Sequence, residues 1–428
     1  MITELETKQI ISLIKREVIP AIGCTEPIAV ALCVAKAVET LQAAPTHIDV
    51  YLSANILKNA MGVGIPGTGM IGLPIAVALG ALIGKSTYGL EVLKDVTPAD
   101  VERGKQLINA KSIQISLKEN IAEKLYIEVI CKTGKSCATA IISGGHTNFV
   151  YIARDEQIIL EVKTTSSEEN DNATPVLTLR KVYDFAMATH IDDLRFILDS
   201  AHLNKIAAQC AFKEDYGHGL GKILKQGKEQ KIIGDNVFSK IVSYTSAACD
   251  ARMAGAMIPV MSNSGSGNQG IAATLPVVVY AENNGNSEEE LIRALILSHL
   301  TVIYIKQSLG RLSALCGCVI AATGSSCGIT YLMGGNYTNV SYAVKNMIAN
   351  LTGMICDGAK PSCALKVTSG VSTAVFSAMM AMEEKCVSSV EGIIEDDVDK
   401  SIQNLTLIGS KGMNETDRYI LDIMTHKC

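Results

Sequence analysis

The apolar residues of this chain keep two different periods on either side of the polar segment TTSSEENDNATP at 164–175, and a single layer of one element type cannot satisfy both. Between about Ile48 and Thr165 the sequence breaks into short β-rich runs: HIDVYLSAN, SIQISLKE, KLYIEVICK, CATAIIS, NFVYIA and IILEVKT. Several are separated by Gly, Asn or charged residues, which predicts an antiparallel sheet with helices inserted. From Leu179 onward Ala, Met, Leu and Ile recur at helical spacing, interrupted by glycine-rich segments, so the second half is expected to be all-helical. The fold class is therefore α+β, with 1–175 an α+β subdomain, 176–428 a helical domain and 164–175 an exposed loop between them. Two helices open the chain: one over residues 6–19, and one starting at Thr25-Glu26-Pro27, with Thr25 as cap and Pro27 in the first turn.

At 428 residues the chain is long enough to bury a large core. Its 38 basic and 43 acidic residues leave a net charge of -5, spread too evenly for a nucleic-acid or anionic-lipid surface. The expected partner is a small molecule. Hydrophobic residues make up 48% of the chain and mean hydropathy is +0.26, carried by aliphatic rather than aromatic side chains. The apolar runs Gly72 to Gly84 and Val319 to Ala322 fall short of the roughly 20 residues a membrane span requires, so no span is expected. The first 20 residues mix charges with apolar positions and lack a secretory h-region, which points to a cytoplasmic location. In that setting the 13 cysteines read as thiols or metal ligands rather than disulfides. The apolar composition, with its many Met and Ala, is that of a homodimer.

Four constellations carry chemistry. Cys24, in Gly23-Cys24-Thr25-Glu26-Pro27, precedes a helix start, where the helix dipole lowers a thiol's pKa; its plainer reading is a buried small hydrophobe. Gly62 to Met70, preceded by Asn55, Lys58 and Asn59, is either a carboxylate-binding loop or a turn that lets the chain double back. Asp250-Ala251-Arg252-Met253 leads into Met261-Ser262-Asn263-Ser264-Gly265-Ser266-Gly267-Asn268-Gln269-Gly270, which offers N–H and hydroxyl donors at a helix start, suited to a carboxylate, with Arg252 as a clamp. The last is the set Cys316, Cys318, Cys327, Cys356 and Cys363. Without tight CxxC pairs it excludes zinc-ribbon and ferredoxin patterns; it leaves either buried thiols or a four-iron cluster held by three of them. No lysine with a glycine-rich phosphate cup suggests pyridoxal phosphate.

The segments GCTEP, PGTGM-x-GLP, GGHTN, RFILDSA, TSAA-x-DARM, MSNSGSGNQG, RLSALC and GMICDGA followed by CA-x-K recur together in one family. Nearly end to end, the chain resembles the UPF0597 family, which includes L-cysteine desulfidases. Its second half also resembles the α-chain of iron–sulfur L-serine dehydratases. The resemblance implies a serine-dehydratase-alpha-like helical domain and an oxygen-sensitive 4Fe-4S cluster on Cys316, Cys356 and Cys363, with Cys318 and Cys327 as packing residues. It further implies that Cys24 is the base that takes the α-proton. Asn263, Ser264, Gly265 and Asn268 would anchor the substrate carboxylate, with Lys58 and Arg252 as charge partners and His146 contributing a proton or hydrogen bond. The implied activity is α,β-elimination on L-cysteine, giving pyruvate, ammonia and sulfide. An L-serine or L-threonine dehydratase, or a non-catalytic binding homologue, are the alternatives. Cys428, at the chain end, is expected to fray rather than to serve as a ligand.

Overall fold

The computed structural model describes residues 2–121, 123–162, 175–226, 230–310 and 312–427. The expected loop at 164–175 therefore lies outside the described residues except for Pro175, as does Cys428.

All six β-rich runs become strands. Two further short ones complete the set in chain order: β1 (Pro20–Ile22), β2 (His47–Leu52), β3 (Ile113–Leu117), β4 (Tyr126–Thr133), β5 (Ser136–Ser143), β6 (Phe149–Arg154), β7 (Gln157–Glu161) and β8 (Pro259–Met261). The larger sheet has the order β3-β2-β4-β5-β6-β7. It is mixed rather than purely antiparallel: β2 and β3 run parallel, joined by a crossover through the helices Ala54–Ala60, Leu73–Ile83 and Pro98–Asn109. Registers Val50↔Val129 and Val129↔Ala140 put Val50, Val129 and Ala140 in one row, flanked by Ile48, Cys131 and Ala138 and by Leu52, Ile127 and Ile142. These nine side chains are buried and share a core with the helix Thr25–Leu41, whose own Ile28, Leu32 and Val34 are buried.

The second half is helical apart from β8, which pairs with β1 through Pro20↔Met261. Its core is built by the long helices Gly267–Asn284, Glu288–Leu309, Gly317–Leu332 and Cys363–Met382. The two halves share their cores: Ile10, Ile14, Cys24 and Val63 belong to the helical core, and Leu312 belongs to the sheet core.

One local expectation is corrected. Cys24, not Thr25, occupies the N-cap of the second helix, because Thr25 is already helical and its hydroxyl donates to the Gly265 carbonyl at 2.9 Å. Among the described residues one helix, Cys363–Met382, is long and apolar enough by length and composition alone to cross a membrane, and half of its apolar window is buried within the protein.

Candidate functional site

One cavity of about 100 Å³ lies where the N-cap of the helix Thr25–Leu41 meets the starts of three helices of the second half. The short ladder β1–β8 causes that meeting. It brings the chain just before Gly23 alongside the segment that follows Met261, and Ser262 N–H then donates to the Ile19 carbonyl at 2.8 Å while Ser264 N–H donates to that of Glu17 at 3.0 Å. Gly23 turns with φ +72°, and a Cβ there would stand 2.4 Å from Pro66, so only glycine lets Cys24 reach the cavity wall at this angle.

Sulfur lines one wall. Cys316 is the N-cap of Gly317–Leu332, Cys318 lies in that helix's first turn, and Cys363 opens Cys363–Met382. Cys356 arrives on a segment tied back by its N–H to the Ala314 carbonyl at 2.7 Å. Cys316 Sγ stands 3.3 Å from Cys318 Sγ. The Cys318 bond, together with burial, pushes the Cys316 thiol up; hydrogen bonding to Cys316 and burial do the same to Cys356, and burial does it to Cys363. Cys318 thus sits on the wall of the cavity and not merely in the core, although its thiol also approaches Met354 Sδ at 3.1 Å and the Lys366 carbonyl at 3.4 Å. Cys327 is fully buried against the Thr323 carbonyl, away from the cavity.

Cys24, Glu26 and Asn59 line the same cavity. The Cys24 thiol donates to Glu26 Oε2 at 2.9 Å, and Asn59 Nδ2 donates to Glu26 Oε1 at 3.1 Å. Burial and then the Glu26 charge push the Cys24 thiol well above its usual 9.0, against the pull of Arg252. This corrects the expectation of a helix-activated thiolate: desolvation outweighs the helix end. Burial opposes the charge on Glu26 too, yet His146, the Cys24 bond and Arg252 together hold that carboxyl below its usual 4.5. The pair is therefore a neutral thiol held by a buried carboxylate.

Arg252, Ser266, Asn268 and Gln269 also line the cavity. Arg252 Nη1 donates to Asn268 Oδ1 at 3.0 Å, and Ser266 caps Gly267–Asn284 by accepting from Gln269 N–H. Of the residues expected to bind substrate, Arg252 and Asn268 reach the cavity, whereas Asn263, Ser264, Gly265 and Lys58 do not. Asn263 Nδ2 contacts the His299 carbonyl at 3.1 Å and its Nδ1 at 3.0 Å, and Asn263 Oδ1 accepts from Ser264 Oγ at 2.8 Å. The Gly265 carbonyl is taken by Thr25. These three residues frame the loop from behind. Lys58, almost wholly buried, donates to the Cys356 carbonyl at 3.3 Å and pairs with the Asp417 carboxylate, so it braces the thiol-bearing segment from outside the cavity. His146 is buried close enough to Glu26 for its charge to act there, but it does not line the cavity. The Gly62–Met70 loop doubles back on itself and docks on Met253 and Gly255 through the Gly64 and Gly67 N–H groups.

Glu26, Gln269 and Lys366 line the cavity without a role expected from the sequence, and Asn59, noted only for preceding the Gly62–Met70 loop, lines it too. Glu26 stands two residues after Cys24 and reads as an ordinary acidic residue of a first helical turn; Gln269 directly follows Asn268 at a helix start. Those positions were the available signals.

Among the described residues no three His, Cys, Asp or Glu side chains converge on a point suited to one metal ion. A four-iron cluster needs a different arrangement, soft thiols spaced around a space rather than meeting at a point, and the sulfur wall supplies that donor set.

A serine dehydratase alpha chain family model matches residues 87–422. The match starts well before the helical half and takes in strands β3 to β7. UPF0597 proteins are similar over almost the whole chain: one of Bacteroides fragilis is 76% identical over 425 residues, covering 99% of both chains. One of Parabacteroides distasonis is 63% identical with 98% of each covered, and one of Oleidesulfovibrio alaskensis is 45% identical with 99% of each covered. These likenesses agree: the chain belongs to the UPF0597 family and carries a serine dehydratase alpha chain domain.

Proposed function

We propose that the protein is a lyase that eliminates the β-substituent of a small amino acid, with L-cysteine as substrate and pyruvate, ammonia and sulfide as products. The observation that carries the reading is a buried Cys24–Glu26 pair lining the same small cavity as four further thiols. A 4Fe-4S cluster held by Cys316, Cys356 and Cys363 would supply Lewis acidity to the departing sulfur or oxygen.

The chain's own groups handle the proton. Cys24 must first give up its own proton, and Glu26 Oε2, 2.9 Å away, is placed to take it. The thiolate so formed removes the α-proton as the β-substituent leaves, and the resulting aminoacrylate hydrolyses to pyruvate and ammonia. Arg252 holds the carboxylate, and the low-dielectric walls strengthen each of these charges. Lys58 positions the Cys356 segment instead of touching substrate. The setting is cytoplasmic, and the partner is this small molecule rather than nucleic acid or membrane.

The family match favours a second reading, an L-serine dehydratase on the same scaffold. Protein purified without oxygen decides. About four irons with acid-labile sulfide, and sulfide release from L-cysteine exceeding pyruvate formation from L-serine, support the proposal. Faster serine turnover transfers the assignment to the dehydratase, and absence of iron removes both.

A further inference from the structure

Buried polar groups in folded proteins find partners, so orphans on a cavity wall outline what the cavity receives. Three side chains of this cavity carry one: Asn59 Oδ1, Gln269 Oε1 and Arg252 Nε are buried and make no hydrogen bond. Their other commitments are few. Asn59 spends its Nδ2 on Glu26, and Arg252 spends one of its five donors on Asn268. Two carboxamide acceptors beside an ionised Glu26 complement a cation, and a guanidinium complements a carboxylate.

Resting on the reading above, we infer that Asn59 and Gln269 recognise the α-ammonium group of the substrate while Arg252 recognises its carboxylate, so that the site selects zwitterionic α-amino acids over carboxylic acids without the amino group. Gln269 directly follows Asn268, the residue that accepts from Arg252, so the acceptor for the cation lies one residue from the partner that holds the donor for the anion. A ligand lacking the ammonium leaves both carboxamide oxygens unpaired in a desolvated space. Hydrogen bonds to a charged group are worth enough for a discrimination of about tenfold or more.

The test is calorimetric titration of protein purified without oxygen with L-alanine, which cannot eliminate, and with propionate, which lacks only the ammonium. Wild type is expected to bind L-alanine at least about tenfold more tightly. Gln269→Leu should lose about that factor for L-alanine with propionate unchanged, Gln269→Glu should keep L-alanine binding, and Arg252→Gln should weaken both ligands. Unchanged propionate binding also reports that the variant is folded; should Gln269→Leu fail to fold, Asn59→Leu answers the same question. Equal losses for both ligands in these carboxamide variants, or a wild type without preference, overturn the inference. Normal discrimination without turnover of L-cysteine or L-serine would refute the elimination reading and leave this one standing.

Discussion

Replacing Lys58 by Met should destabilise the protein and loosen the segment that carries Cys356. The Lys58 side chain is 2% exposed and that of Asp417 12%, so the variant leaves a carboxylate stranded in a poorly solvated place. Breaking a buried pair in this way costs about 3–5 kcal/mol. Asn55 Nδ2 still donates to Asp417 Oδ2 at 3.1 Å, so the lower end, about 3 kcal/mol, is expected. Replacing both partners in Lys58→Met/Asp417→Leu removes the stranded charge and should recover most of the loss. The assay is denaturant unfolding of the three variants beside wild type, with amide hydrogen exchange read over residues 356–358. A Lys58→Met protein with an unchanged midpoint and unchanged exchange there would refute the assignment of Lys58 as a brace, as would a double variant less stable than either single one.

Further outcomes are expected. Cys316→Ser, Cys356→Ser and Cys363→Ser should each lose iron, while Cys318→Ser and Cys327→Ser keep about four per chain by metal and labile-sulfide analysis; iron loss in Cys318→Ser would add that thiol to the ligand set. Cys24→Ala and Glu26→Gln should each lower kcat by about 10²–10⁴-fold, the first with L-alanine binding kept, and an active Glu26→Gln would return the proton transfer to Cys24 alone. Burial pushes the His299 imidazole down to about 3, so the unfolded chain takes up this proton first as pH falls. Stability from this group is complete above pH 6.5 and declines by about 1.4 kcal/mol per pH unit between 6.5 and 3. Unfolding midpoints across that range should fall less steeply in His299→Gln, and parallel slopes would contradict the burial argument.

The strands of the larger sheet were legible because each keeps one face buried and so alternates along its length, as Val50 and Val129 show. The parallel pairing of β2 with β3 was not, because it depends on three intervening helices whose apolar faces do not name their partner strands. In the site, Cys24, Arg252, Asn268, Cys316 and Cys363 stand in short motifs at or beside helix ends, and Cys356 stands in the segment between two helices. Asn263 and Lys58 misled, since a polar letter does not reveal that its hydrogen bonds are spent on His299 or Asp417, residues 36 and 359 positions away. Glu26 was overlooked for the opposite reason: an acid in a first helical turn is common, and only the fold buries this one against a thiol.

The pairing of Lys58 with Asp417 also imposes an order on synthesis. Asp417 belongs to the helix Asn414–Thr425, 359 positions beyond Lys58, and the Cys356 segment is made in between. That brace cannot close until Asp417 has emerged, after both Lys58 and the Cys356 segment. The sulfur-bearing segment is thus made before the carboxylate that fixes its Lys58 support, and the helix Asn414–Thr425 acts as the clasp that completes its wall.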